Sequence, residues 1–341
     1  MPMKLIRFLL FPVALIYDLV TRIRNYFFDV GFLKSTSFPI PTLVVGNLSV
    51  GGTGKTPQIE YLIRLLKEKY KIAILSRGYK RKTEGFVLVD ESHIAEDVGD
   101  EPLQYFKKFS NLTVAVDANR VNGIQQLIAK KSPEIILLDD AYQHRKVKAG
   151  FYILLTKYND LYTDDFILPT GNLRESKTGA KRANIILVTK CPINLSEIEK
   201  NKIVKHLNTS NGQKVFFTSI AYSEKLKGSE SIALTELVNF QVLLITGIAN
   251  PNPLLEFLSE KNIRFKHLKF ADHHPFSDLE IKNIEEEFVK IKSDKKLILT
   301  TEKDFVRLSE KVKRLSYLEI KTQFLFNADD SFNEIILSQK K

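Results

Sequence analysis

Short apolar runs alternate with longer stretches of helical periodicity from residue 41 onward. Runs such as 43–45 and 135–138 are typical of strands buried on both faces of a sheet. Stretches such as 56–68 and 120–130 have the spacing of amphipathic helices. This alternation predicts an α/β fold with a mostly parallel sheet. Strands of the larger region are predicted at 42–45, 71–75, 86–89, 113–116, 135–138, 152–155, 185–188 and 215–217.

A polar stretch at 222–231 separates this region from a second, smaller α/β unit. We therefore predict an N-terminal segment at 1–35, a larger domain at 36–225 and a smaller C-terminal α/β domain at 226–341. The smaller unit has predicted strands at 242–245, 265–268 and 297–299 and predicted helices at 253–260 and 279–291.

The N-terminal segment combines bulky apolar residues with basic ones. Its longest uncharged stretch, 8–17, is too short for a membrane-spanning helix, which needs about 20 residues. Two interpretations remain: a helix that lies in the membrane interface, and a helix packed on its own domain. The pattern favours the first, because Lys and Arg can contact anionic lipid while apolar groups enter the headgroup boundary. The basic residues of the segment are Lys4, Arg7, Arg22, Arg24 and Lys34.

Composition narrows the partners of this chain. The hydrophobic fraction of 44% and the charged fraction of 27% are those of a folded globular protein. A single cysteine, Cys191, excludes an internal disulfide and a Cys-built metal site. The net charge of +11 indicates an anionic partner, which on composition alone is nucleic acid, a phosphate group or an acidic membrane.

A glycine-rich segment, GNLSVGGTGKTP at 46–57, lies between a predicted strand and a predicted helix. This is the position of a P-loop, whose backbone N–H groups cradle phosphates. Lys55 would neutralise the β- and γ-phosphates, and the Thr56 hydroxyl would bind Mg²⁺. The generic pattern begins with glycine where this chain has Ser49. The predicted nucleotide-binding residues are Ser49, Val50, Gly51, Gly52, Thr53, Gly54, Lys55 and Thr56.

Two carboxylates, Asp139 and Asp140, directly follow the apolar run at 135–138. Ligands of α/β proteins bind at the carboxyl ends of such strands. Carboxylate oxygens suit Mg²⁺. The pair therefore predicts the metal site of a P-loop NTPase-type fold.

The class of P-loop protein depends on what else the chain carries. The segment 187–192 lacks the Asn and Asp that read guanine, and no aromatic-interleaved basic strip predicts single-strand binding. Two functions remain open on these residues: a small-substrate kinase, and a P-loop ATPase that acts as a membrane-associated switch for a partner. A kinase also needs a base near its acceptor hydroxyl.

Further motifs favour the kinase. The sequence has SRGY at 76–79, VGDEP at 98–102, LLDDAYQH at 137–144, LRE at 173–175, DHHPF at 272–276 and TEKD at 301–304. With the loop at 46–57 and the apolar-basic N-terminus, this set resembles the tetraacyldisaccharide 4′-kinase family of lipid A biosynthesis over nearly the whole chain. Ser49 is usual in that family's loop. Ala141-Tyr142 and Thr170 depart mildly from its usual residues.

The resemblance implies ATP and Mg²⁺ as cofactors and transfer of the γ-phosphoryl group to the 4′-hydroxyl of an acylated disaccharide 1-phosphate. It implies work at the cytoplasmic face of the bacterial inner membrane, on an anionic surface, with no nucleic acid and no obligate protein partner.

The resemblance also carries residue roles. Asp100 corresponds to the family's catalytic base, His273 to its partner from the second domain, and Lys55 to the phosphate-binding lysine. The supporting groups of the site are Glu101, Arg120, His144, Arg174 and Glu175.

Overall fold

The structure, a computed structural model, describes residues 7–340. Lys4 and the other first residues of the predicted membrane segment, as well as Lys341, lie outside the described residues. The larger of two sheets has nine strands in the order β14-β8-β7-β6-β1-β5-β2-β4-β3. They are β1 (Thr42–Asn47), β2 (Ile72–Ser76), β3 (Val87–Leu88), β4 (Thr113–Val116), β5 (Ile135–Asp139), β6 (Phe151–Lys157), β7 (Ile185–Thr189), β8 (Lys214–Tyr222) and β14 (Ile320–Phe324).

The second sheet has five strands in the order β11-β10-β12-β13-β9. They are β9 (Lys227–Gly228), β10 (Gln241–Thr246), β11 (Arg264–Lys269), β12 (Lys296–Thr301) and β13 (Leu315–Leu318). Most strand pairs in both sheets are parallel, and the antiparallel pairs lie at the edges. The predicted α/β fold with a mostly parallel sheet is thus confirmed.

Helices cover both faces of the larger sheet. Leu43 and Val45 of β1 pack in one apolar cluster, whereas Val44 packs in the cluster on the opposite face. Successive strand residues point to opposite faces, so burial of both faces requires the unbroken apolar runs. The helices are α1 (Phe11–Asp29), α2 (Lys55–Leu66), α3 (Ala95–Val98), α4 (Asp100–Lys108), α5 (Arg120–Lys131), α6 (Glu197–Leu207), α7 (Asn252–Glu260), α8 (Asp278–Val289), α9 (Glu302–Leu308) and α10 (Asp329–Leu337).

The end of the chain returns to the larger sheet. β14 pairs antiparallel with β8, and Phe332 of α10 is buried in the cluster that contains Leu43. These elements lie inside the stretch predicted as the smaller domain, and the sequence patterns did not predict β9, β13 or β14. Edge strands with polar residues such as Lys321 and Gln323 lack the apolar runs that identify central strands. The division into domains stays a prediction.

Helix α1 exposes most of its apolar residues. Ile16 is 66% exposed, and within α1 only Ala14, Thr21 and Phe28 are buried. Within residues 7–340, none of the helices combines the length and the apolar character that crossing a bilayer requires.

Candidate functional site

The loop between β1 and α2 has the local geometry that phosphate binding needs. Gly54 adopts a left-handed φ of +86° and is the N-cap of α2, and Gly51 has a φ of +106°. Side chains other than glycine are strained in this region. Because α2 begins at Lys55, its unpaired N–H groups and the positive end of its dipole lie at the loop.

Lys55 lies between the ends of two neighbouring strands. Its Nζ is 3.2 Å from Oδ1 of Asn47 at the end of β1 and 3.4 Å from Oδ1 of Asp140 after β5. Asn47 is buried, and its amide donates to the carbonyl of Ser49 over 2.6 Å. The ammonium is therefore held beside the loop by groups that the sheet itself positions.

The two carboxylates after β5 differ in their electrostatics. Burial, followed by the charges of Asp140 and Glu101, raises the pKa of Asp139 to about 7. Burial also raises the pKa of Asp140, but the cations of Lys55 and Arg174 outweigh it, so this pKa lies below its usual value. A divalent cation beside the pair would favour the charged form of both groups.

A second loop runs alongside the glycine-rich loop. The Val50 N–H donates to the Asn172 carbonyl over 2.8 Å, and the Arg174 N–H donates to the Leu48 carbonyl over 2.7 Å. These bonds bring the Arg174 guanidinium within 3.3 Å of both carboxylate oxygens of Asp140. Two cations thus flank Asp140.

Glu175 fixes this second loop. Its carboxylate is buried and accepts hydrogen bonds from Asn25 of α1 (2.7 Å), Gln143 (3.1 Å) and Arg182 (2.7 Å). With three donors on one buried carboxylate, Glu175 orders the framework that carries Arg174.

His144 lies among cations, of which Arg120 is the one with the largest effect on its pKa. Arg120 is buried and donates to the carbonyls of Asp117 (2.6 Å) and Asp139 (3.3 Å). Burial lowers its pKa to about 10. Burial, followed by the charges of Arg120 and other cations, lowers the pKa of His144 to about 4, so this imidazole is neutral at pH 7.

Asp100 and His273 are in direct contact, although Asp100 begins α4 and His273 lies in the turn after β11, 173 residues later. His273 Nδ1 is 2.6 Å from Asp100 Oδ2. Asp100 is the first residue of α4 and follows Gly99, whose φ is +94° and where an added Cβ would lie 3.3 Å from Gly78. Glycine at 99 therefore permits the close approach of the SRGY loop to this site.

Helix α9 supplies two further contacts to this pair. Arg307 Nε donates to Asp100 Oδ1 over 2.5 Å, and Lys303 Nζ is 2.8 Å from His273 Nε2. Burial raises the pKa of Asp100, but the hydrogen bonds from His273 and Arg307 outweigh it, so the net pKa lies below its usual value. Asp100 is therefore a buried carboxylate that is charged at neutral pH.

Comparison with known proteins identifies the family. The family model described as tetraacyldisaccharide-1-P 4′-kinase matches residues 6–341. A tetraacyldisaccharide 4′-kinase from Flavobacterium johnsoniae is 56% identical over 99% of this chain and 98% of its own length. The chain belongs to this family. The resemblance drawn from the motifs is confirmed, and with it the prediction that the chain is an enzyme, a kinase.

Other relatives agree with this assignment. A tetraacyldisaccharide 4′-kinase from Bacteroides thetaiotaomicron is 47% identical over 96% of this chain and 92% of its own length. The crystal structure of LpxK from Aquifex aeolicus in complex with ATP is similar in fold, with a TM-score of 0.80 and 29% identity over 98% of this chain and all of that one.

Most residues that the motifs suggested meet at one edge of the larger sheet of this kinase. Lys55 and Arg174 both lie beside Asp140, and Glu101 lies close enough to Asp139 to raise the pKa of that carboxyl group. Arg120 and Glu175 instead bind the protein framework. The functional roles of all these residues stay predictions.

Sequence reasoning missed two residues of this site, Lys303 and Arg307. Lys303 lies within the TEKD motif at 301–304, but nothing in the sequence connected it with His273. The spacing of four residues does put Lys303 and Arg307 on one face of a helix, which was an available signal. Their partners depend on the packing of α9 against α4, which no local pattern specifies.

Proposed function

We propose that this chain transfers the γ-phosphoryl group of ATP to the 4′-hydroxyl of tetraacyldisaccharide 1-phosphate in lipid A biosynthesis. The observation that carries the proposal is a candidate base beside a candidate phosphate site. Asp100 is held by His273, and its neighbour Glu101 acts electrostatically on Asp139, which ends the strand next to the glycine-rich loop. A kinase needs these two sites adjacent, whereas an ATPase switch needs only the second.

The nucleotide is proposed to bind the loop at 49–56. ATP is present in the solved Aquifex aeolicus relative. In this chain, the left-handed Gly54 opens α2 and Lys55 lies beside the loop, so both backbone donors and a cation are available to the phosphates.

The residues fit Mg²⁺ as the second cofactor. Thr56, Asp139 and Asp140 offer oxygen ligands, which Mg²⁺ prefers. Ser76 and Tyr105 donate to Asp139 Oδ2 over long distances of 3.4 Å, which leave lone pairs of this oxygen available. When bound, Mg²⁺ would neutralise charge on the phosphates of ATP.

Asp100 is proposed to orient the acceptor hydroxyl and to receive its proton late in the transfer. Its pKa is low, so it is a weak base, but a loose phosphoryl-transfer transition state requires little early deprotonation. A carboxylate has about four acceptor positions. His273 and Arg307 use one on each oxygen, so positions remain for the hydroxyl.

The basic group around His144 is proposed to bind the phosphate of the acceptor. Arg120, Lys146, Arg24 and Arg77 all lie close enough to lower the pKa of His144. Such a concentration of cations suits an anionic group.

The membrane surface is proposed to be the site of action, on the cytoplasmic face of the inner membrane where ATP is available. Helix α1 exposes apolar side chains, such as Leu19 at 58% and Ile16 at 66%. The same helix contacts the second loop of the site: Tyr17 donates to the Arg174 carbonyl over 3.0 Å, and Asn25 donates to Glu175. A lipid held at α1 would therefore have its headgroup next to Arg174.

The test is a transfer assay with γ-labelled ATP and tetraacyldisaccharide 1-phosphate in detergent micelles. We expect label in the lipid. The control acceptor is the same lipid already phosphorylated at the 4′ position, which should remain unlabelled. Label released only as inorganic phosphate with both lipids would refute the kinase and support the switch.

A further inference from the structure

Four hydrogen-bonding groups of Lys303, His273, Asp100 and Arg307 form a continuous chain. Lys303 Nζ lies 2.8 Å from His273 Nε2, His273 Nδ1 lies 2.6 Å from Asp100 Oδ2, and Arg307 Nε lies 2.5 Å from Asp100 Oδ1. The Asp100 side chain is fully buried and that of His273 is 10% exposed. Water is therefore not a ready substitute partner for either group.

With Lys303 as an ammonium, these four groups allow only one assignment of donors and acceptors. An ammonium has three N–H donors and no acceptor, so His273 Nε2 must accept from Lys303. A neutral imidazole that accepts at Nε2 carries its hydrogen on Nδ1. That N–H then donates to the Asp100 carboxylate, as the short distance requires.

We infer that Lys303 is a positioning residue, which holds His273 as the neutral Nδ1–H tautomer and so directs a donor at Asp100. This inference rests on the proposed role of Asp100. A hydrogen on Nε2 would point at the Lys303 ammonium 2.8 Å away, so this contact excludes it while Lys303 stays in place. The proton of the acceptor hydroxyl therefore goes to Asp100 rather than through His273 to solvent.

The surroundings of Lys303 support a fixed position. Oxygens of Asp272 and Glu101 lie 3.5 Å and 3.6 Å from its Nζ and balance its charge. The Lys303 side chain is 24% exposed. Arg307, on the same face of α9, donates to the His273 carbonyl over 2.7 Å and thereby holds the left-handed backbone of His273, whose φ is +59°.

The direct test is to determine which tautomer His273 adopts. Long-range ¹H–¹⁵N NMR of the full-length, histidine-labelled protein in detergent micelles distinguishes Nδ1–H, Nε2–H and imidazolium. The six histidines are few enough to assign His273 by comparison with His273→Gln. We expect the Nδ1–H form in the wild type and in Lys303→Arg, and a loss of that preference in Lys303→Met.

Kinetics provide the second measurement. Lys303→Met should lower kcat about 10- to 100-fold, as for loss of an outer partner of a site, with the KM for ATP unchanged. Lys303→Arg should recover much of the loss, and the control Lys282→Met, at an exposed position of α8, should match the wild type.

A wild-type His273 in the Nε2–H or imidazolium form would overturn the inference. So would an unchanged tautomer in Lys303→Met. Either outcome leaves the proposed function standing, because that is tested separately by transfer of label to the lipid.

Discussion

The contact between Asp100 and His273 allows a sharp test of how this kinase activates its acceptor. The perturbation is a cycle of Asp100→Ala, His273→Ala and the double variant. His274→Ala is the matched control, because His274 lies in the same loop but bonds to Glu280 rather than to Asp100. We expect Asp100→Ala to lose the most activity, His273→Ala to lose less, and the double variant to lose little more than Asp100→Ala alone.

The magnitudes follow from the geometry. Loss of a general base costs roughly 10²–10⁴ in kcat, which is about 2.7–5.4 kcal/mol at 1.36 kcal/mol per tenfold. In the proposed mechanism His273 acts through one 2.6 Å hydrogen bond to Asp100, so its effect should disappear once Asp100 is absent. Asp100→Ala also leaves Arg307 without its carboxylate, and breaking a buried ion pair costs about 3–5 kcal/mol of stability.

The assay is the initial rate of label transfer to the lipid acceptor, together with nucleotide affinity and thermal unfolding of each variant. Rates are compared below the lowest unfolding transition, so that loss of stability is separated from loss of catalysis. Nucleotide affinity should barely change in either single variant. Fully multiplicative losses of kcat in the double variant would refute the reasoning, because they would mean that the two side chains act independently.

Three further predictions concern other parts of the molecule. Lys55→Ala should lower kcat about 10³-fold or more by removing charge stabilisation from the transferred group; a rate within about tenfold of wild type would mean that the loop is not the phosphate site. Deletion of residues 2–30 should move the protein from vesicle pellets to the supernatant and weaken use of the lipid; full sedimentation of the truncated protein would contradict a membrane role for α1. Burial, followed by the charge of Glu60, raises the pKa of Glu302 to about 7. The folded state therefore keeps a proton that the unfolded chain releases near pH 4.5. Stability falls as the pH rises between these two values. Glu302→Gln should therefore flatten the decline of melting temperature between pH 5 and 8. Parallel plots of melting temperature against pH for variant and wild type would contradict this role of Glu302.

Much of this protein was determined by local sequence alone. The apolar runs at 43–45 and 135–138 required burial on two faces, which makes a mostly parallel sheet with helices on both sides. The glycines at 51 and 54 required a turn with positive φ, and that turn is present before α2. In parallel sheets the carboxyl ends of neighbouring strands share one edge, so the order of strand, loop and carboxylate in the sequence already places Lys55 near Asp140.

Other features depended on packing that no local pattern specifies. β14 and α10 return to the larger sheet although they follow the smaller one, and the polar positions of an edge strand gave no signal for this pairing. Lys303 and Arg307 acquire their partners because α9 packs against α4, a contact between segments some 200 residues apart. Asp139 and Asp140 look alike in sequence, but their pKa values shift in opposite directions in the fold. Burial acts on both, whereas the close ion pairs with Lys55 and Arg174 are made by Asp140. Electrostatics of this kind depends on distances through space, and only the tertiary structure sets those.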